Sequence, residues 1–140
     1  MIMSTDPASY VQRHVWQGGQ ISTVEDQVAT ETPVAIVFNG ISHVVMMATP
    51  SDLEDFVFGF SLTEGIVETA DQLLDLEEIS TDKGIELHAL ITAERFAGLK
   101  EKRRNLVGRT GCGICGAESL EIVVPNPKWV NSEILLSHAA

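Results

Sequence analysis

The only two cysteines of this 140-residue chain, Cys112 and Cys115, lie in the segment Arg109-Thr110-Gly111-Cys112-Gly113-Ile114-Cys115-Gly116. The thiolate, not the thiol, is the nucleophile and the metal ligand, and nearby cations favour it. Glycines on either side of the sulfurs leave room for a partner to approach. Six of the nine basic residues fall just before or within this segment: Arg95, Lys100, Lys102, Arg103, Arg104 and Arg109. The chain as a whole is acidic, with 20 Asp+Glu and a formal charge of −11. Charge is therefore locally inverted where both sulfurs stand. Arg103, Arg104 and Arg109 are expected to stabilise a thiolate and to hold a phosphate-bearing ligand near it. The plain alternative for such a run is a solvated helix face.

Several chemistries compete for the pair. Zinc needs four ligands and one C-x-x-C supplies two. His14, His43, His88 and His138 are scattered without ligand spacing, so a zinc site requires a second chain. A thioredoxin-type pair sits after a strand at a helix N-terminus, whereas here a basic helix and a loop precede it. Gly111-x-Gly113-x-x-Gly116 also spells G-x-G-x-x-G, but the strand before and helix after that a dinucleotide site needs are not indicated. The zinc-deaminase pattern fails because no Pro precedes Cys112 and no H-x-E occurs. A nucleophilic thiol or sulfur relay remains, beside the shared zinc site and two idle surface thiols.

Composition bounds the rest. Hydrophobic residues make up 44% and charged residues 21%, which is globular rather than disordered. The length suits one ordinary domain. The acidic balance argues against nucleic acid and anionic membranes as partners. No apolar stretch approaches the length of a membrane span, and Met1–Pro7 lacks the regions of a signal peptide. A cysteine pair without an export signal points to the cytoplasm, where such pairs are catalytic or metal-binding rather than structural.

The elements that must position the cysteines follow from local signals. Residues 1–10 read as a loose leader. Val11–Trp16 reads as a strand before a turn at Gly18-Gly19, and residues 20–32 as polar and irregular. Val34–Phe38 and Ile41–Met47 flank Asn39-Gly40, the signature of a hairpin with a type I′ turn. His43 is placed on the solvent side of its strand. Thr49 and Pro50 suit a helix start, and Leu53, Phe56, Val57 and Phe60 form one apolar face ending near Gly65. Glu64 is a candidate to face the cysteine loop. A second hairpin joins Leu76–Ile79 to Ile85–Ile91. A helix then runs from Thr92 to about Arg104, with Phe96 and Leu99 inward and the cations outward. Leu120–Val124 reads as a strand. The expected fold class is α+β, with two β-hairpins packed against two or three helices and a glycine-rich C-x-x-C loop.

Four ordered blocks carry a family resemblance: Pro33-Val34-Ala35-Ile36-Val37-Phe38-Asn39-Gly40; Met46 to Phe56; Gly59-Phe60-Ser61-Leu62-Thr63-Glu64-Gly65-Ile66; and Arg109 to Gly116. Together they resemble the formate dehydrogenase accessory sulfurtransferases, the FdhD/NarQ family. The resemblance implies a sulfur carrier that takes sulfur from a cysteine desulfurase as a cysteine persulfide. It passes this sulfur to the molybdenum cofactor, in its guanine-dinucleotide form, for formate dehydrogenase. It implies Cys112 as the persulfide carrier and Cys115 as a second carrier or resolving thiol.

Family members are usually longer. Their deaminase-like α/β second half, with its Asp-x-Gly-Arg-His motif, has no counterpart here. The expected organisation is a leader over 1–10, a domain over 11–128 and a tail over 129–140 where a second domain would begin. Tight cofactor binding by this chain alone is not expected, and a sulfurtransferase activity would draw on that further domain. The apolar tail residues Ile134, Leu135 and Leu136 suggest self-association. The alternative to a sulfur carrier is a binding module: a zinc site shared by two chains, or a docking domain.

Overall fold

The structure is a computed structural model that describes residues 6–102 and Leu120. Its strands are β1 (Ala8–Gln17), β2 (Gln20–Ala29), β3 (Thr32–Phe38), β4 (Ile41–Ala48), β5 (Leu73–Ser80) and β6 (Ile85–Ile91). Its helices are α1 (Leu53–Thr63) and α2 (Ala93–Lys102), with a 3₁₀ turn at Ala70–Gln72. β1 and β2 form a two-stranded sheet, and the other strands form a second sheet in the order β4-β3-β6-β5.

Both expected hairpins are present, as β3–β4 and β5–β6. They are joined by parallel pairing of β3 with β6, Val34 opposite Ile85 and Phe38 opposite Ala89. This places β3 and β6 at the centre. β3 is accordingly buried along its whole length, while β6 buries Ile85, Leu87, Ala89 and Ile91 on one face. That face packs with Leu53 and Val57 of α1 and Leu99 of α2 into the main core. The apolar stripe of α1 is thus core. The opposite face of the sheet buries Ala35 and Val45 against Leu120.

The β3–β4 turn is more than a local device. Asn39 and Gly40 both adopt positive φ, 48° and 78°, as a type I′ turn requires. The Asn39 amide donates to the Ile91 carbonyl at 3.0 Å and accepts from the Ile91 N–H at 2.9 Å. The turn is thereby tied to the end of β6.

Several expectations need correction. Residues 20–29 are not irregular: they form β2, so there are three hairpins rather than two among the described residues. Gln20–Ala29 is polar because both faces of its sheet are largely exposed, and no single core face imposes alternation on it. β1 starts at Ala8 rather than Val11. α1 starts at Leu53, after Asp52 in the left-handed region with no side-chain cap, so Thr49 is not its N-cap.

His43 is buried rather than solvent-facing, at 7% exposure. The pairing register shifts between Ile36 and Val37, so that Ser42 lies opposite Val37 and Val44 opposite Ile36. His43 is the extra residue. A bulge of this kind re-aims a side chain, and here the imidazole lies against Phe38 and Phe60, ring centroids 5.5 and 6.1 Å away.

Candidate functional site

Cys112, Cys115, Arg103, Arg104 and Arg109 lie outside the described residues, as do residues 121–124 of the segment expected as a strand and the tail residues Ile134, Leu135 and Leu136; Leu120, the one described residue of that segment, is helical rather than extended. What the structure gives is the pair of anchors between which the cysteine segment is strung.

The first anchor is α2. Thr92 continues β6 and its carbonyl accepts the Phe96 N–H at 3.0 Å, opening the helix as the sequence suggested. Leu99 is buried in the main core and Phe96 packs against it. Arg95 was expected to point outward with the other cations, and it does not. Its side chain is only 17% exposed, donating from Nε to the Ile66 carbonyl at 3.1 Å and from Nη1 to Glu68 at 2.7 Å. Those acceptors follow the end of α1, where Gly65 has φ 63° and the Ile66 and Val67 N–H groups return to the Ser61 carbonyl. Arg95 therefore clips the start of α2 to the end of α1 and is taken out of the basic run by the fold. Glu64 is the C-cap of α1, its N–H bonded to the Phe60 carbonyl at 2.9 Å. That gives the Thr63-Glu64-Gly65 block an architectural role.

The second anchor is Leu120, 2% exposed against Ala35 and Val45 on the opposite face of the sheet. Gly84 makes room for it. A Cβ there would lie 2.2 Å from the Pro33 carbonyl oxygen and 3.0 Å from Leu120 Cδ2, and φ is +152°. The stretch that carries both cysteines thus has its two ends fixed on opposite faces of one sheet, Leu99 on the helix side and Leu120 on the other. Periodicity could not show this, since each leucine alone reads only as core.

A cavity among the described residues can be weighed against the cysteine segment. It holds about 390 Å³ beside β5, and its lining includes Phe58, Leu73 and Leu76 together with Glu54, Asp75 and Glu78. Three carboxylates and no cation suit neither a phosphate-bearing ligand nor a thiolate. Among the described residues no three His, Cys, Asp or Glu side chains are grouped to hold a metal ion. No helix among them is long and apolar enough to cross a membrane.

The sheet and its helices are a known arrangement. The chain matches the crystal structure of a protein assigned as a formate dehydrogenase accessory protein from Desulfotalea psychrophila, with a TM-score of 0.54 and 24% identity over 62% of this chain and 35% of that one. At that identity the likeness establishes the fold class. Sequence goes further: the FdhD/NarQ family model matches residues 29–139, and the chain belongs to this family. It is 52% identical over 118 residues to the sulfur carrier protein FdhD of Cupriavidus necator and 49% identical over 124 residues to that of Xanthomonas euvesicatoria. It spans 41% and 43% of the length of those relatives.

Proposed function

We propose that the chain is a sulfur carrier in the maturation of formate dehydrogenase and that Cys112 bears the sulfur. The supporting observation is its only cysteine pair, set beside its only basic run, in a chain 52% identical to a sulfur carrier protein. In the proposed loading step the Cys112 thiolate attacks the terminal sulfur of a persulfide on a cysteine desulfurase. The donor S–S bond breaks, the donor cysteine leaves as thiolate, and an S–S bond forms on Cys112. Sulfane sulfur changes hands without net oxidation, so no further redox partner is needed. Arg103, Arg104 and Arg109 favour the thiolate that the attack requires. Cys115 is the second carrier or the resolving thiol. In the latter role it attacks the Cys112 sulfur, closes a disulfide and releases hydrosulfide.

The acceptor in this proposal is the molybdenum cofactor in its guanine-dinucleotide form, a substrate rather than a resident group, destined for formate dehydrogenase in the cytoplasm. Loading is proposed for this chain; delivery is proposed for the full length of its relatives. The test is intact mass after incubation with a cysteine desulfurase and cysteine. One added sulfur atom is expected on Cys115→Ala and none on Cys112→Ala, while the unmodified chain carries one added sulfur atom or, where Cys115 resolves it, a Cys112–Cys115 disulfide. A folded Cys115→Ala chain that gains no sulfur overturns the proposal.

A further inference from the structure

β5 is the outermost strand of the four-stranded sheet, and among the described strands none pairs with its outer edge. Its backbone phase follows from the turn at Asp82-Lys83. The Thr81 N–H donates to the Gly84 carbonyl at 2.8 Å, so these two residues form the pair that closes the hairpin. Hydrogen-bonded and non-hydrogen-bonded pairs alternate along an antiparallel ladder, and the pairing runs without a shift from Ser80 opposite Ile85 to Asp75 opposite Leu90. Glu77 and Ile79 therefore bond to β6, while the N–H and C=O groups of Leu76, Glu78 and Ser80 point to the open edge. The Leu76 N–H is met there by the carboxylate of its neighbour, Asp75 Oδ1, at 3.0 Å.

The same residues face a cavity. Residues directly opposite each other share a face of the sheet. Leu76, Glu78 and Ser80 lie opposite Ala89, Leu87 and Ile85, which belong to the main core, so they stand on the helix side. The cavity of about 390 Å³ is on that side, lined by Leu76 and Glu78 with Glu54 and Phe58, one turn apart on α1. Open backbone groups and a cavity thus belong to one stretch of β5.

A cation on an apolar stem fits this lining. Phe58, Leu73, Leu76 and Leu87 accept hydrocarbon, Glu54, Asp75 and Glu78 attract positive charge, and no cation lines the cavity. Lysine and arginine side chains have that build. Among the described residues no three carboxylates are grouped to hold a metal ion, so the lining suits an organic cation. The adjoining open edge makes this cation part of an extended chain rather than a free amine, because a strand added there meets backbone partners as well.

Charge selects the strand. β5 carries Asp75, Glu77 and Glu78 and no cation. Such charges guard an edge against like strands, and a second copy of this chain, at −11, is repelled. A basic strand is attracted by the same charges.

We propose that the outer edge of β5 and its cavity dock an extended basic segment of a partner protein, which adds antiparallel to β5. The residue opposite Glu78 exchanges both backbone hydrogen bonds with it. Its side chain falls on the cavity face, with the stem on Phe58 and Leu76 and the charge against Glu54 and Glu78. Alternate residues of a strand share a face, so the segment carries a basic residue at every second position. The proposal is independent of the sulfur-carrier reading and uses neither cysteine.

The experiment titrates the full chain with an acetylated, amidated octapeptide that alternates lysine and threonine, by calorimetry and amide hydrogen exchange. The peptide is expected to bind and to slow exchange at the Glu78 and Ser80 amides. A peptide with glutamate in place of lysine, and one methylated on the lysine backbone nitrogens, are expected not to bind. The methylated peptide keeps every charge, so it separates strand addition from charge attraction alone. Glu54, Glu77 and Glu78 are exposed, and neutralising them leaves the fold intact. Glu54→Gln and Glu78→Gln should each weaken binding about threefold, as for a partly screened ion pair. Glu77→Gln removes the same charge on the other face of β5 and should leave the affinity unchanged. No binding of the lysine peptide, equal binding of its methylated form, an affinity unmoved by Glu54→Gln and Glu78→Gln, or one moved as much by Glu77→Gln each overturns the proposal.

Discussion

β3 and β1 are both unbroken strands with β-favouring side chains, yet every residue of β3 is buried and no residue of β1 is. β3 lies between β4 and β6, and α1 packs over one of its faces. β1 has β2 and nothing else among the described elements. The difference teaches that strand-forming tendency and burial are separate decisions. Side-chain type makes an extended segment, while its place in the strand order sets what each side chain contributes.

The comparison can be broken most sharply with one residue type at two sites. Ile36 is fully buried in β3. Ile36→Ala is expected to cost about 3–4 kcal/mol in urea unfolding, the lost transfer of the side chain plus the cavity it leaves. A loss under about 1 kcal/mol would show that the sheet core is loosely packed.

The turn that ends β3 gives an intermediate effect. Asn39→Gly keeps the positive φ and removes both amide bonds to Ile91. About 1–2 kcal/mol of destabilisation is expected, two partly buried hydrogen bonds at ordinary net strength. If the glycine variant melts at the wild-type temperature, the turn is held by its backbone alone.

The smallest effect belongs to the hairpin. Ile21 is 60% exposed, and Ile21→Ala should change monomer stability by about 0.5 kcal/mol or less. A cost comparable to that of Ile36→Ala would mean that this face of the hairpin is covered in solution.

How much of this was legible beforehand depends on how local the cause is. The Asn39-Gly40 turn, the apolar stripe of α1, the β5–β6 hairpin and the inward Phe96 and Leu99 were all readable, because each rests on contacts between residues a few positions apart. β2 is not legible for the opposite reason: with no face buried, nothing forces the period-two pattern by which strands are recognised. Strand alternation puts His43 on the wrong side because a single bulged residue reverses the alternation after it, and no sequence signal marks the bulge. Arg95 reads as part of the basic run because its acceptors, the Ile66 carbonyl and Glu68, lie 29 and 27 residues away in sequence.

The sequence by itself determined the chemistry on offer: two thiols spaced as C-x-x-C among glycines, next to the run that holds six of the nine cations. It also determined the family, since the blocks that carry it are contiguous stretches of residue types. Only the tertiary structure decided that β3 and β6 run side by side in parallel, and that Leu99 and Leu120 are fixed on opposite faces of the sheet they share. The reason is physical. Thiolate chemistry and turn preference are properties of neighbours along the chain, whereas sheet order and face are set by which distant surfaces exclude water together.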